Sequence, residues 1–154
     1  MNTSLCLSSM VFRGEPIEDA IRYCSENQFA LEFSSGLPFQ ERMEQIFLEA
    51  KCSKLIHNYF PAPQIPFVLN LASADPAILE RSIQHVLKCL ELAQSAGVPF
   101  YSIHAGFALD PEASSLGKKL VFKKSLPREE HWQIFIRTLK ELVKEATRRN
   151  VQLV

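Results

Sequence analysis

The sequence predicts an α/β protein of parallel βα repeats, a partial barrel of about four βα units plus the start of a fifth strand. Three observations predict it. Short apolar runs alternate with longer stretches whose apolar residues recur at helical spacing, and strict βα alternation implies a parallel sheet with right-handed crossovers. Neither G-x-G-x-x-G nor G-x-x-x-x-G-K follows the first strand, which weakens a dinucleotide or P-loop reading. Several strands also carry a small or polar face, as in Ala30, Glu32 and Ser34, or Ser102 and His104. A barrel lumen accommodates such residues near its rim, whereas an open sheet covered on both sides prefers apolar residues on both faces.

The first strand is expected over Leu5 to Phe12, an apolar run broken only by Ser8 and Ser9. Pro16 then suits the first position of a helix, and Ile17, Ala20, Ile21 and Cys24 give that helix one apolar stripe ending near Asn27. Phe29 to Ser34 reads as the second strand, with Leu31 and Phe33 on the face opposite Glu32. Ser35-Gly36-Leu37-Pro38 breaks the chain, and Met43, Ile46, Phe47 and Ala50 mark a second helix. Lys54 to Tyr59 is the third strand, with Leu55, His57 and Tyr59 sharing a face.

A proline-containing loop through Pro61, Pro63 and Pro66 leads past Phe67–Leu71 to Asp75-Pro76, an N-cap followed by proline at the first helical position. The third helix carries Leu79, Ile83, Val86, Leu87, Leu90 and Ala93 on one stripe and stops at Gly97. Val98 to Phe107 follows as a short buried strand that delivers His104 to its end, where Ala105-Gly106 turns the backbone away. A long loop, Ala108 to Leu126, contains Lys118, Lys119, Lys123 and Lys124. Pro127 opens a fourth helix striped by Trp132, Phe135, Ile136, Leu139, Leu142, Val143 and Ala146, read as core packing. Arg148 and Arg149 complement the dipole of its last turn, Asn150 caps it, and Val151–Val154 begins a fifth strand.

The chain of 154 residues has the size of one domain, 1–154, and can bury a core without disulfides. Seventeen basic residues offset seventeen acidic ones, so charge supplies no argument for a nucleic-acid or membrane partner. Cys6, Cys24, Cys52 and Cys89 form no C-x-x-C pair and lie in or beside apolar segments, which reads as buried reduced thiols. No basic n-region opens the chain, and no stretch approaches the ~20 apolar residues of a membrane span, so a cytoplasmic protein is expected.

Three candidate ligands or catalysts come from successive strand ends: Glu32, His57 and His104. Carboxylate and imidazole gathered at one rim suit a divalent metal such as zinc, manganese or magnesium, or proton transfer beside a carbonyl. Tyr59 and Asn70 would then orient a polyol hydroxyl as substrate-binding residues. Glu32 would instead be a surface residue if its strand were shifted by one position. His85 and His131, within helices, read as solvated or partly packed, and the four loop lysines as a solvated run with a phosphate role as the alternative.

Three segments then resemble a known family. Leu55-Ile56-His57-Asn58-Tyr59-Phe60, Phe67-Val68-Leu69-Asn70-Leu71-Ala72-Ser73 and Tyr101-Ser102-Ile103-His104-Ala105-Gly106-Phe107 look like the third- and fourth-strand region of the xylose isomerase-like TIM barrels. The helix between them, with Arg81, Leu90, Ala93 and Gly97, is similar too. The superfamily contains sugar isomerases, sugar-phosphate epimerases and endonuclease IV. The resemblance implies that His57 and His104 are the third- and fourth-strand histidines of the metal-containing rim, zinc ligands in endonuclease IV, and close to substrate or metal in many epimerases. It places Asn70 in the loop after the third strand and Glu32 where many relatives carry a second-strand glutamate.

In that superfamily the fifth strand usually ends in a metal-binding glutamate, and here Val154 falls just before it. A complete barrel needs eight strands and about 250 residues. The expected function is therefore the N-terminal portion of a metal-dependent sugar phosphate isomerase or epimerase, catalytically incomplete alone. Glu32 and His104 are its catalytic candidates and His57 and His104 its metal ligands. The partner would be a sugar or sugar phosphate, and the divalent metal would belong to the complete barrel or be absent from this chain alone. The alternatives are an endonuclease IV-like zinc-dependent DNA repair fragment, which the neutral charge disfavours, and a non-catalytic half-barrel interaction module. Self-association through open sheet edges is expected of any of these.

Overall fold

A computed structural model describes residues 5–115, 118–122 and 127–154. Five strands form one sheet: β1 (Cys6–Ser8), β2 (Ala30–Phe33), β3 (Lys54–His57), β4 (Phe100–Ser102) and β5 (Gln152–Leu153). Helices α1 (Ile17–Glu26), α2 (Met43–Glu49), α3 (Pro76–Ser95) and α4 (Arg128–Arg148) fall one after each of the first four strands. All pairings are parallel and the spatial order is β1-β2-β3-β4-β5, the order of the chain. Sequential order is what a partial TIM barrel requires; a doubly wound sheet reverses its order at a switch point.

The register fixes which side chains meet. Phe33 lies opposite Ile56, and Ile56 opposite Tyr101. These three, with Leu31, are almost fully buried and belong to a core that includes Phe47 of α2 and Val86, Cys89 and Leu90 of α3. Phe33, Phe47 and Phe60 interlock with ring centroids 4.9 to 5.4 Å apart. Alternation then sends Glu32, His57 and Ser102 to the opposite, inner face. Burial of one face thus sets the aim of the residues on the other.

Several expectations change. The first strand is three residues long, because Ser8 Oγ accepts the Met10 N–H and starts a 3-10 turn, Ser9–Phe12. Ser9 is buried within that turn, 2.9 Å from Ser34 Oγ, and it accepts the Ser34 N–H, tying the end of β1 to the end of β2. Asp75 caps α3 through the N–H groups of Ala77 and Ile78 as expected. Asn150, just past α4, takes the left-handed backbone (φ 55°) that closes a helix. All four cysteines are free, but Cys6 is exposed rather than buried, since it lies opposite Ala30 on the inner face of an edge strand, the face that carries Glu32.

The two helical histidines are also corrected. His85 is only 7 % exposed and His131 only 1 %. Their apolar helical neighbours pull both onto the packed side, where His131 donates from Nδ1 to the Ala72 carbonyl (2.6 Å). Conversely Trp132, expected in the core, is 54 % exposed, because the buried face of α4 runs through His131, Thr138, Leu142 and Ala146, about 100° away. Lys118 and Lys119 are exposed, whereas Lys123 and Lys124 lie outside the described residues. Among the described residues no helix is long and apolar enough to cross a membrane.

Candidate functional site

The ends of β2, β3 and β4 bring Glu32, His57 and His104 together. Glu32 Oε1 lies 3.3 Å from His57 Nδ1, and His57 Nε2 lies 3.1 Å from His104 Nε2. The two rings are nearly perpendicular, at 74°, with centroids 4.9 Å apart. A carboxylate only accepts, so His57 carries a proton on Nδ1; as the neutral ring it then offers a lone pair at Nε2, to which His104 donates from Nε2. A one-residue shift of β2 would have turned Glu32 away; the observed pairing of Glu32 with Leu55 keeps it on the inner face. Glu32 and His57 side chains are about one-quarter exposed, and His104 is exposed.

The backbone around the pair is held by three bonds from Asn58. This residue follows His57 in left-handed conformation (φ 48°). Its N–H donates to the Ser102 carbonyl (2.6 Å), its carbonyl accepts the Tyr101 hydroxyl (2.6 Å), and its Oδ1 accepts the His104 N–H (3.2 Å). Nothing in the sequence reading singled it out. The available signal was an asparagine directly after a strand-ending histidine, a residue type that tolerates positive φ.

Beside the pair opens a cavity of about 500 Å³ lined by Asn58, Tyr59, Phe67, His104 and Phe107, among others. Tyr59 lines it as a half-buried ring whose hydroxyl accepts the Phe67 N–H (2.7 Å), and burial raises its pKa. Asn70, expected to meet substrate, has no exposed surface. Its Oδ1 accepts the Ala72 and Phe107 N–H groups, and its Nδ2 donates to Asp110 (2.7 Å). Those bonds make it a brace between the loops after β3 and β4. Asp110, which the sequence reading passed over as loop, also accepts the Ser73 hydroxyl (2.8 Å) and is buried. A larger cavity of about 670 Å³ adjoins at Gly106 and Phe107 and reaches the start of α4 at Arg128 and Trp132.

The donor set fits a divalent metal in part. Two imidazole nitrogens on one tetrahedral zinc, each at about 2.0–2.1 Å, stand about 3.3 Å apart, close to the separation here. Glu32 on the far nitrogen of His57 is the usual outer partner of a ligating imidazole. Among the described residues no group of three or more His, Cys, Asp or Glu is placed to hold one metal ion together, so the site supplies two donors and an orienting carboxylate, not a closed cage.

Residues 13–154 match the family described as Xylose isomerase-like TIM barrel. No curated protein matches the chain. Among solved structures, a D-tagatose 3-epimerase-like protein shares 18 % identity at a TM-score of 0.68, covering 98 % of this chain and 51 % of that one. A D-psicose 3-epimerase from Clostridium cellulolyticum, solved with D-tagatose, shares 15 % at 0.67, covering 98 % and 51 %. A Thermus thermophilus protein soaked with zinc chloride shares 17 % at 0.60, covering 99 % and 55 %. The chain thus spans about half the length of the structures it matches.

Proposed function

Because the chain belongs to the xylose isomerase-like TIM barrel family, we propose that it is the N-terminal portion of a metal-dependent isomerase or epimerase acting on a sugar or sugar phosphate. Residues 1–154 are one partial barrel domain, which binds a divalent ion with two of the ligands that a competent site needs. The observation that carries this reading is the 3.1 Å approach of His57 Nε2 to His104 Nε2, with Glu32 behind His57. The neighbouring sugar epimerases and the zinc-soaked relative support the substrate class and the ion.

In this reading His57 and His104 hold the metal, which would polarise a substrate carbonyl and lower the barrier to moving the proton beside it. Glu32 keeps the Nδ1 proton on His57 and so leaves Nε2 free to ligate. Glu32 and His104 are the catalytic candidates on the inner face, and Tyr59 offers a hydroxyl and a ring to a polyol in the adjoining cavity. Phe67 and Phe107 exclude water from that cavity's walls. The net charge of zero supplies no argument for a nucleic-acid partner, so the DNA-repair alternative gains nothing from it.

Titration of the chain with zinc or cobalt, followed by calorimetry, tests the reading. One ion is expected to bind per site, and His57→Ala with His104→Ala is expected to abolish binding. Undiminished binding in that double variant would overturn the assignment of the pair.

A further inference from the structure

The ladder between β3 and β4 ends at His57 paired with Ser102, two residues short of His104. Beyond it β3 turns away at Asn58, and two strands released from their ladder diverge unless something replaces it. Asn58 carries the connection onward. Its N–H makes the last ladder bond, to the Ser102 carbonyl; beyond that its carbonyl accepts the Tyr101 hydroxyl, and its side chain reaches past the last pair to accept the His104 N–H. Only a residue that tolerates φ near 48° and carries a short acceptor can make all three bonds at once. The underside is packed as well: Tyr101, which holds the Asn58 carbonyl, is fully buried, and His85 stacks on Tyr59, the next residue, at 5.1 Å.

We propose that Asn58 is the positioning residue of the site: its side-chain amide oxygen holds the His104 backbone so that the His104 imidazole meets that of His57. The proposal rests on the reading of the histidine pair as the functional centre, and adds that the pair's separation is set by the following residue and not by the sheet alone. Asn58 does not touch the reacting atoms in this scheme; it acts through His104.

The variants are Asn58→Gly, which keeps the left-handed backbone and both main-chain bonds but removes the acceptor, and Asn58→Asp, which keeps acceptor and backbone. Two readouts are taken on the full chain. Nitrogen NMR of histidine-labelled, metal-free protein at pH 8 reports which ring nitrogen carries each proton; cobalt titration reports affinity. Wild-type protein should show a fixed proton on His57 Nδ1 with His57 Nε2 as acceptor. Asn58→Gly should lose that fixed pattern and bind cobalt about tenfold more weakly, and Asn58→Asp should restore both.

If Asn58→Gly does not melt cooperatively, Asn58→Ser, whose hydroxyl is too short to span to His104, takes its place with the same expectation. A folded Gly or Ser variant with wild-type ring signals and cobalt affinity within twofold overturns the proposal. So does an Asp variant that fails to recover, or a wild-type protein without the fixed proton pattern. His57→Ala separates the two ideas: unchanged cobalt affinity there defeats the metal reading, while the ring signals still decide the role of Asn58.

Discussion

A Cβ placed on Gly106 would fall 2.4 Å from Oδ1 of Asn70 and 2.8 Å from its Cα. The loop after His104 therefore lies directly against the brace that joins it to the loop after β3. Gly106 also has φ 103°, a backbone conformation that side chains rarely adopt. Gly106→Ala must push Asn70 away from the Phe107 and Ala72 N–H groups, loosening the brace behind the Gly106–Phe107 wall that both cavities share. The expected loss is about 2 kcal/mol or more, from backbone strain together with buried donors left unpaired. Urea denaturation measures it; a variant as stable as wild type would mean that the two loops are not packed together.

The contact between Glu32 and His57 makes a separate prediction. Glu32→Gln keeps the shape but removes the charge that holds the proton on His57 Nδ1. Zinc affinity is expected to fall about tenfold, the lower end of the usual effect of an outer-shell partner, while the melting temperature changes little because both side chains are partly solvated. Calorimetry on the two proteins side by side decides it, and equal affinities would remove Glu32 from the site.

Glu32, His57 and His104 could be found in the sequence because period-two alternation on strands with one buried face leaves little freedom: burying Leu31, Phe33, Ile56 and Tyr101 turns the alternate residues inward. Asn70 and Asp110 could not be read the same way. Their bond spans forty positions of chain between two loops, and loops carry no period to project. Asn58 was missed for a related reason, since its function lies in bonds to the neighbouring strand. Helix phase was legible on α1 and α2, where Ile17, Ala20, Cys24, Met43 and Phe47 are buried, and departs mainly in the first half of α4. On α4 the apolar residues are wider than one stripe, and the hydrogen bond from His131 to Ala72 helps select which side is buried.

His85 gives the chain a pH dependence whose sign is fixed. Burial, with Lys88 nearby, pushes its pKa down to about 4, against 6.5 in the unfolded chain. Its Nε2 is buried without a hydrogen-bond partner among the described residues. Between those pH values the unfolded chain binds a proton that the folded one refuses. Stability from this residue is thus complete above pH 6.5 and is lost as pH falls toward 4, by about 3 kcal/mol in all. His85→Leu should flatten that slope and be neutral or stabilising at pH 7, because it removes a buried polar atom without a partner. Denaturation midpoints from pH 4 to 8 test it, and parallel curves for the two proteins would refute it.

The last prediction concerns which side of α4 carries the fold. Leu142 is 2 % exposed and belongs to the core, while Trp132, the only tryptophan in the chain, is 54 % exposed beside the larger cavity. Leu142→Ala removes methylene contacts from a packed interior and leaves a void, which costs about 2–5 kcal/mol. Trp132→Ser takes away a ring whose outer half is already in water, and an exposed substitution of this kind costs about 0.5 kcal/mol or less. The fluorescence of Trp132 supplies an independent check: it should resemble that of solvated indole and be quenched readily by acrylamide. A shielded, unquenched tryptophan, or a Trp132→Ser variant as unstable as Leu142→Ala, would show that a partner or a further part of the barrel covers this face in solution.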